Sequence, residues 1–143
     1  MKIAVIDGQG GRMGAMLIEG LRKNGIAAPH KILAIGTNAM VTAAMLKAGA
    51  DQGATGENPV VVVSRTADII VGPIGILIAD AMLGEVTREM SASVGLSRAR
   101  RVLLPFNQCG SIVVGTQAMT LQQIIDEGVQ TVLGLCAPQG IQA

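Results

Sequence analysis

The sequence predicts a three-layer α/β fold in which helices cover both faces of a mostly parallel sheet. Apolar, β-branched runs alternate along the chain with segments of helical apolar spacing, and this alternation is typical of a parallel sheet. A glycine-rich stretch directly after the first apolar run is typical of the turn that opens a Rossmann-like fold. Because 143 residues is an ordinary size for one domain, we expect a single Rossmann-like domain over residues 1–143.

The first half of the chain is predicted to form two strand–helix pairs. Residues 2–6 and 31–35 are apolar runs typical of buried strands. Apolar residues recur at three- and four-residue spacing over 12–23, which indicates a helix with one buried face. These residues are Met13, Met16, Leu17 and Leu21. Asn38 is the predicted cap of a second helix that runs to about Ala48.

The middle of the chain permits two interpretations. Residues 60–63 are all valine, which by propensity favours a strand. Asn58 followed by Pro59 is instead a helix cap followed by a favoured first helical residue, and a βαβ rhythm requires a helix before the next strand. We favour a short strand at 52–54 and then a helix from Pro59 to about Thr66.

The second half is predicted to continue the same alternation. Residues 68–72 form a strand, and residues 74–83 are apolar nearly all round, which favours a buried helix. A helix from Thr87 to Ala99 and a strand at 101–106 follow. Thr120 then caps a last helix with one apolar stripe.

Residues 111–115, SIVVG, are predicted to form an antiparallel edge strand. They follow the strand at 101–106 so closely that a parallel arrangement, which needs a crossover of about a dozen residues, is excluded. Antiparallel edge strands are common on otherwise parallel sheets.

The stretch VIDGQGGRMG, residues 5–14, is the strongest candidate for a binding site. A glycine-rich turn before a helix lets backbone N–H groups and the positive end of the helix dipole meet an anion. Gly8, Gly11 and Gly14 fit the spacing GxxGxxG. The alternative is a tight turn in which Gly14 allows close helix packing. The candidate cofactor-binding residues in this turn are Gly8, Gln9, Gly10, Gly11, Arg12, Met13 and Gly14.

Other candidate residues follow the remaining strands, because ligands of open α/β sheets bind beyond the carboxyl ends of the strands. After the second strand these are Gly36, Thr37 and Asn38, and after the strand at 68–72 they are Gly72 and Pro73. Hydroxyl and amide groups there can bond a ribose or a phosphate. The acidic residue that usually ends the second strand and discriminates NAD from NADP is missing.

Asp7 permits two interpretations. An aspartate before glycine readily accepts bonds from the backbone N–H groups that follow, and so shapes the turn. The alternative is a carboxylate that bonds a ribose hydroxyl or carries a metal ion to a phosphate. Because a carboxylate repels a diphosphate, Arg12 or a cation should accompany Asp7 in that case.

The run GQGGRMG, residues 8–14, resembles the GxxGRMG cofactor turn of dihydrodipicolinate reductase over about the first 35 residues. That resemblance implies a Rossmann fold and contact of the turn with NADH or NADPH. Nothing corresponds to the reductase's separate substrate domain, so a complete dehydrogenase is not expected. GATGEN, DIIVGPIGI, GEVT and LLPFNQC extend a second resemblance over nearly the whole chain, to short bacterial proteins of about this length described as a domain of unknown function.

Composition and charge exclude several classes of function. The net charge is +1 and the sequence contains one aromatic residue, Phe106, so the basic footprint and stacking surface of a nucleic-acid-binding protein are missing. No apolar run approaches the ~20 residues of a membrane-spanning helix. A strand pattern at the very start leaves no room for a signal peptide, and two distant cysteines indicate the cytoplasm. The single histidine, His30, predicts no metal site, and Glu85 and Glu89 are assigned no chemistry.

These observations predict a cytoplasmic nucleotide- or dinucleotide-binding or sensing module, with NAD or NADP as candidate cofactors. High apolar content in a small chain predicts a homo-oligomer, most simply a dimer. One alternative is a small enzyme whose active site is completed by a second subunit and uses Asp7, Asn107 and Cys109. A further alternative is a scaffold that binds no ligand.

Overall fold

The centre of the fold is a sheet of five parallel strands, seen in a computed structural model that describes residues 1–106 and 110–138. The strand order is β3-β2-β1-β4-β5. The strands are β1 (Lys2–Asp7), β2 (Lys31–Gly36), β3 (Gln52–Thr55), β4 (Ile69–Pro73) and β5 (Arg100–Leu104).

Helices cover both faces of this sheet, which confirms the predicted three-layer α/β class. The helices are α1 (Arg12–Lys23), α2 (Ala39–Lys47), α3 (Glu57–Ser64), α4 (Arg88–Leu96) and α5 (Leu121–Cys136), and a 3-10 helix spans Ile74–Leu77. The first core cluster joins α1, α2 and α5 to one face of the sheet. The second joins α3, α4 and the 3-10 helix to the other face.

Burial on both faces explains the composition of the central strands. In β1, Ile3 and Val5 belong to the first core cluster, whereas Ala4 and Ile6 belong to the second. Successive side chains of a strand point to opposite faces, so a strand covered on both sides is apolar at every position.

Two of the predicted helix caps, Asn38 and Thr120, are confirmed. Asn38 Oδ1 accepts a hydrogen bond of 3.0 Å from the backbone N–H of Val41. Thr120 caps α5 in the same way, because its Oγ1 accepts a hydrogen bond of 3.2 Å from the backbone N–H of Gln123. The valines at 60–63 lie in α3, which confirms the favoured interpretation, but the helix is capped at Gly56 instead of Asn58.

The predicted antiparallel edge strand at 111–115 is wrong. These residues form turns and irregular backbone, and the described sheet consists of parallel pairs. Ile112 and Val114 are 78% and 89% exposed, so the run has no buried face to hold it against the sheet. Gly110 and Gly115 have φ values of +68° and +91°, which lie in the left-handed region that a strand does not use.

The predicted helix at 74–83 is also wrong beyond its first turn. The 3-10 helix ends at Leu77, and Asp80, Met82 and Leu83 have positive φ values of 63°, 58° and 56°. The prediction assumed a helix buried on all sides, but Leu83 is 99% exposed. The next helix, α4, is capped by Thr87, where the helix was predicted to begin, but ends at Leu96 instead of Ala99.

Among the helices of the described ranges, none combines the length and the apolar character needed to cross a membrane.

Candidate functional site

The strand order creates a crevice at the carboxyl ends of β1 and β4. β1 pairs with β2 on one side and with β4 on the other, so the connections after β1 and β4 leave toward opposite sides of the sheet. Such a switch point is where open α/β sheets bind ligands.

A cavity of about 310 Å³ occupies this crevice. Seven of the predicted binding residues line it: Gly8, Gln9, Gly10, Gly11, Arg12, Met13 and Pro73. Its wall also includes residues that the sequence did not single out for cofactor binding: Asp7, Gly75, Met82, Phe106 and Leu121. Phe106 and Leu121 were missed because no local pattern marks them. They reach the cavity only because α5 packs beside β5.

The glycine-rich turn leaves several backbone donors free. The N–H of Gly11 donates to the carbonyl of Gly8 at 3.1 Å, which closes the turn. Within residues 1–106 and 110–138, no group accepts a hydrogen bond from the backbone N–H of Gly10, Arg12 or Met13. These three residues line the cavity, so the wall carries unpaired donors at the positive end of α1.

Asp7 shapes this turn, as the first interpretation of the sequence predicted. Its side chain is buried, and it accepts hydrogen bonds from the backbone N–H groups of Gly8 at 2.8 Å and Gly14 at 2.7 Å. Burial raises the pKa of Asp7, the two backbone hydrogen bonds lower it, and the nearby Glu85 carboxylate raises it. The resulting pKa lies above its ordinary value.

Gly14 belongs to the packing of α1 and does not line the cavity. A Cβ atom at this position would lie 2.5 Å from Met45 Sδ and 3.0 Å from Asp7 Cβ. Gly11 does line the cavity, but it also has a φ of +68°, and a Cβ there would lie 3.0 Å from the Cα of Val41. Gly10 differs from both, because a Cβ there would meet open space.

The residues that follow β2 are engaged elsewhere. Gly36, Thr37 and Asn38 are not part of the cavity wall, and neither is Gly72 in β4. Thr37 Oγ1 donates to Glu85 Oε1 at 2.8 Å, and Asn38 Nδ2 donates to the same oxygen at 2.7 Å.

Glu85, to which the sequence analysis assigned no chemistry, is bonded to the glycine-rich turn. The backbone N–H of Gln9 donates to its Oε2 at 3.2 Å, so one carboxylate joins the glycine-rich turn to the end of β2. Burial raises the pKa of Glu85, but the hydrogen bonds from Asn38, Thr37 and Gln9 outweigh it, and the pKa lies below its ordinary value. The sequence analysis did not place Glu85 here, because it predicted a helix at 74–83 and not a loop that leads back to the turn.

Two candidates from the sequence, Asn107 and Cys109, lie outside the described residues. Within the described ranges, His, Cys, Asp and Glu side chains form no group of three or more that could hold a metal ion.

Comparisons with known proteins agree with the architecture. A family model described as domain of unknown function DUF3842 matches residues 2–136. A search of curated proteins found no match. A solved structure, the dodecameric FMN-dependent UbiX-like decarboxylase from Escherichia coli O157:H7, is similar at a TM-score of 0.50 and 15% sequence identity. The similarity covers 99% of this chain and 100% of that chain, and at this identity it concerns the fold alone.

Proposed function

We propose a nucleotide-binding function for this chain, which belongs to the DUF3842 family. The phosphate of the nucleotide binds at the turn formed by residues 8–14. The observation that carries this proposal is the set of unpaired backbone donors at Gly10, Arg12 and Met13 on the cavity wall. Unpaired N–H groups at a helix N-terminus bind phosphate because donors and helix dipole act on the same anion.

Arg12 balances the charge of this site. The buried Asp7 carboxylate lies behind the turn and opposes a phosphate. The Arg12 side chain is exposed, and among the described residues it takes part in no ion pair. Its guanidinium group is therefore free to pair with a phosphate on the cavity side and to offset Asp7.

The size of the cavity bears on the ligand. About 310 Å³ is at the lower end of the range for small-molecule sites, roughly 300–1,000 Å³. This volume suits one nucleoside-sized part of a ligand. A dinucleotide such as NAD or NADP would occupy the cavity with one half and extend across Gln9 toward the end of β2 with the other. The FMN dependence of the similar decarboxylase supports a nucleotide-type cofactor on this architecture.

A role for Asp7 as a catalytic residue has less support. Both of its carboxylate oxygens accept backbone hydrogen bonds, and the side chain is 4% exposed. A binding or sensing module is therefore the function that we favour. An enzyme completed by a second subunit would depend on Asn107 and Cys109.

Thermal unfolding followed by circular dichroism tests the proposal. The wild type is heated with AMP, NAD, NADP and FMN, each with and without magnesium. A ligand at 100 times its dissociation constant adds about 2.7 kcal/mol, a shift of several degrees. A wild type whose unfolding temperature is unchanged by all four compounds would contradict the proposal.

Two glycine variants locate the binding site in the same assay. Gly10→Val places a side chain in open space on the cavity wall, so we expect a folded protein that has lost the ligand-induced shift. Gly134→Val is the matched control, because a Cβ there also meets open space but lies in α5, away from the cavity. Equal ligand-induced shifts in the two variants would show that the turn is not part of the binding site.

A further inference from the structure

We propose that Glu85 recognises the ribose of the bound nucleotide and selects a free 2′-hydroxyl over a 2′-phosphate. This inference rests on the proposed function, because it requires a nucleotide whose phosphate lies at the glycine-rich turn. It assigns a specificity-determining role to a residue outside the cavity wall.

The position of Glu85 is the first argument. Nucleotide-binding α/β folds commonly place a carboxylate at the carboxyl end of the second strand, where it accepts hydrogen bonds from the ribose. The second strand here ends in Gly36 and Thr37 and carries no acid. The carboxylate of Glu85 lies at that end of the sheet, bonded to Thr37 and Asn38, although it comes from the connection between β4 and α4.

The link to the cavity is the second argument. Gln9 lines the cavity, and its backbone N–H donates to Glu85. The backbone donors proposed for the phosphate belong to the glycine-rich turn, and the carboxylate of Glu85 is bonded to the same turn. With the phosphate at the turn, the adenosine part of AMP, NAD or NADP crosses Gln9 toward the end of β2 and meets Glu85, and the cavity takes the other half of a dinucleotide.

The acceptor capacity of the carboxylate is the third argument. Glu85 Oε1 accepts short bonds from Thr37 at 2.8 Å and Asn38 at 2.7 Å, which orient the group, and it shares the Gln9 N–H with Oε2, at 3.3 Å. Glu85 Oε2 accepts only a long bond of 3.2 Å, from Gln9, among the described residues. An ionised carboxylate has acceptor sites and no donor, so Oε2 can take a ribose hydroxyl and repels a phosphate.

The loop that presents Glu85 is the fourth argument. Asp80, Met82 and Leu83 have left-handed backbone conformations, which are unfavourable for residues with a side chain. The loop is closed by a bond from Asp80 N–H to the carbonyl of Val86 at 2.8 Å. Backbone strain that is held by the surrounding structure clusters at functional sites. The strained loop brings Glu85 to the end of β2 and holds it there.

Two pairs of nucleotides test the proposal on the intact wild-type chain by titration calorimetry. AMP and 2′-deoxy-AMP differ only in the 2′-hydroxyl, and NAD and NADP differ only in the 2′-phosphate. We expect AMP to bind about tenfold more tightly than 2′-deoxy-AMP, as one charge-assisted hydrogen bond implies, and NAD to bind more tightly than NADP. Equal affinities within both pairs, or tighter binding of NADP, would overturn the proposal.

A variant then assigns the discrimination to Glu85. In Glu85→Gln we expect AMP to bind about tenfold more weakly, so that it equals 2′-deoxy-AMP, while 2′-deoxy-AMP binds as in the wild type. Glu89→Gln is the control, because it removes the same charge. The Glu89 side chain is exposed and forms no hydrogen bond or ion pair among the described residues. Discrimination that persists in Glu85→Gln would overturn the assignment.

The outcomes separate this inference from the proposed function. A wild type that binds none of AMP, NAD, NADP and FMN contradicts both. A wild type that binds FMN but none of the four adenine nucleotides contradicts the inference alone. A wild type that binds them without 2′ discrimination contradicts the inference alone. Because the wild-type comparison needs no variant, it decides the question even if Glu85→Gln does not fold.

Discussion

The side chain of Asp7 joins the end of β1 to the first turn of α1, since its Oδ2 accepts a hydrogen bond of 2.7 Å from the backbone N–H of Gly14. A carboxylate of the protein thereby uses one of the donors at the helix N-terminus. The remaining donors, at Arg12 and Met13, stay available to the cavity. For a phosphate bound at this turn, as we propose, the Asp7 carboxylate is therefore a negative charge close behind the free donors.

Replacing this carboxylate tests how it affects a bound phosphate. In Asp7→Asn we expect AMP to bind more tightly, because a negative charge behind the turn is removed. Stability should fall by about 1 kcal/mol, since an amide cannot accept from both Gly8 and Gly14 and one buried N–H loses its partner.

Calorimetry and urea unfolding measure these two effects. Asp126→Asn, at an exposed position of α5, is the matched control for the same chemical change. Weaker binding of AMP that depends on magnesium would instead make Asp7 a metal ligand.

Glu85 makes stability depend on pH. Because its pKa in the folded protein lies below the ordinary value of 4.5, the folded state binds fewer protons than the unfolded state as the pH falls through this range. The contribution of Glu85 is therefore present above pH 4.5 and is lost as the pH falls through the folded pKa. We expect the difference in unfolding temperature between wild type and Glu85→Gln to be largest at neutral pH and to shrink on acidification.

Circular dichroism melts at pH 7 and pH 3 measure this difference, with Glu89→Gln as the control for the loss of one negative charge. A difference that grows toward acid would show that Glu85 is not held by these hydrogen bonds. The neighbouring Asp7, whose pKa is raised, works in the opposite direction, so each variant is compared with the wild type at the same pH.

Gly14 and Gly10 are expected to respond differently to the same substitution. Gly14→Ala forces a methyl group against Met45 and Asp7 and should cost about 1–3 kcal/mol. Gly10→Ala meets open space and should leave the free energy of unfolding nearly unchanged. Urea unfolding of both variants checks this prediction, and equal stabilities would show that α1 can shift to accept the methyl group.

Exposed apolar side chains predict self-association. Met40, Leu83, Leu96, Ile112 and Val114 are each at least 78% exposed. The chain also has only 15% charged residues, well below the roughly 25% of typical soluble domains, which indicates apolar surface covered by a second copy. We expect light scattering coupled to size-exclusion chromatography to give a mass above 14.6 kDa at micromolar concentration. A monomeric mass would remove this prediction.

Local patterns in the sequence were sufficient for most of the elements. The apolar runs of β1, β2 and β4, the spacing in α1 and the caps at Asn38 and Thr120 depend on near neighbours along the chain. The prediction failed where an apolar pattern did not by itself fix the backbone conformation. Residues 111–115 do not pair with the described sheet, and residues 78–83 form a strained loop instead of a helix.

The sequence by itself determined the α/β class and the glycine-rich turn, because a strand, a turn and a helix start are encoded within a few residues. Only the tertiary structure decided that Glu85 faces Thr37, 48 positions earlier in the chain, and that Asp7 is buried under the turn. The physical reason is that these contacts follow from the order of the strands and from the shape of a loop, and neither leaves a periodic signal in the sequence.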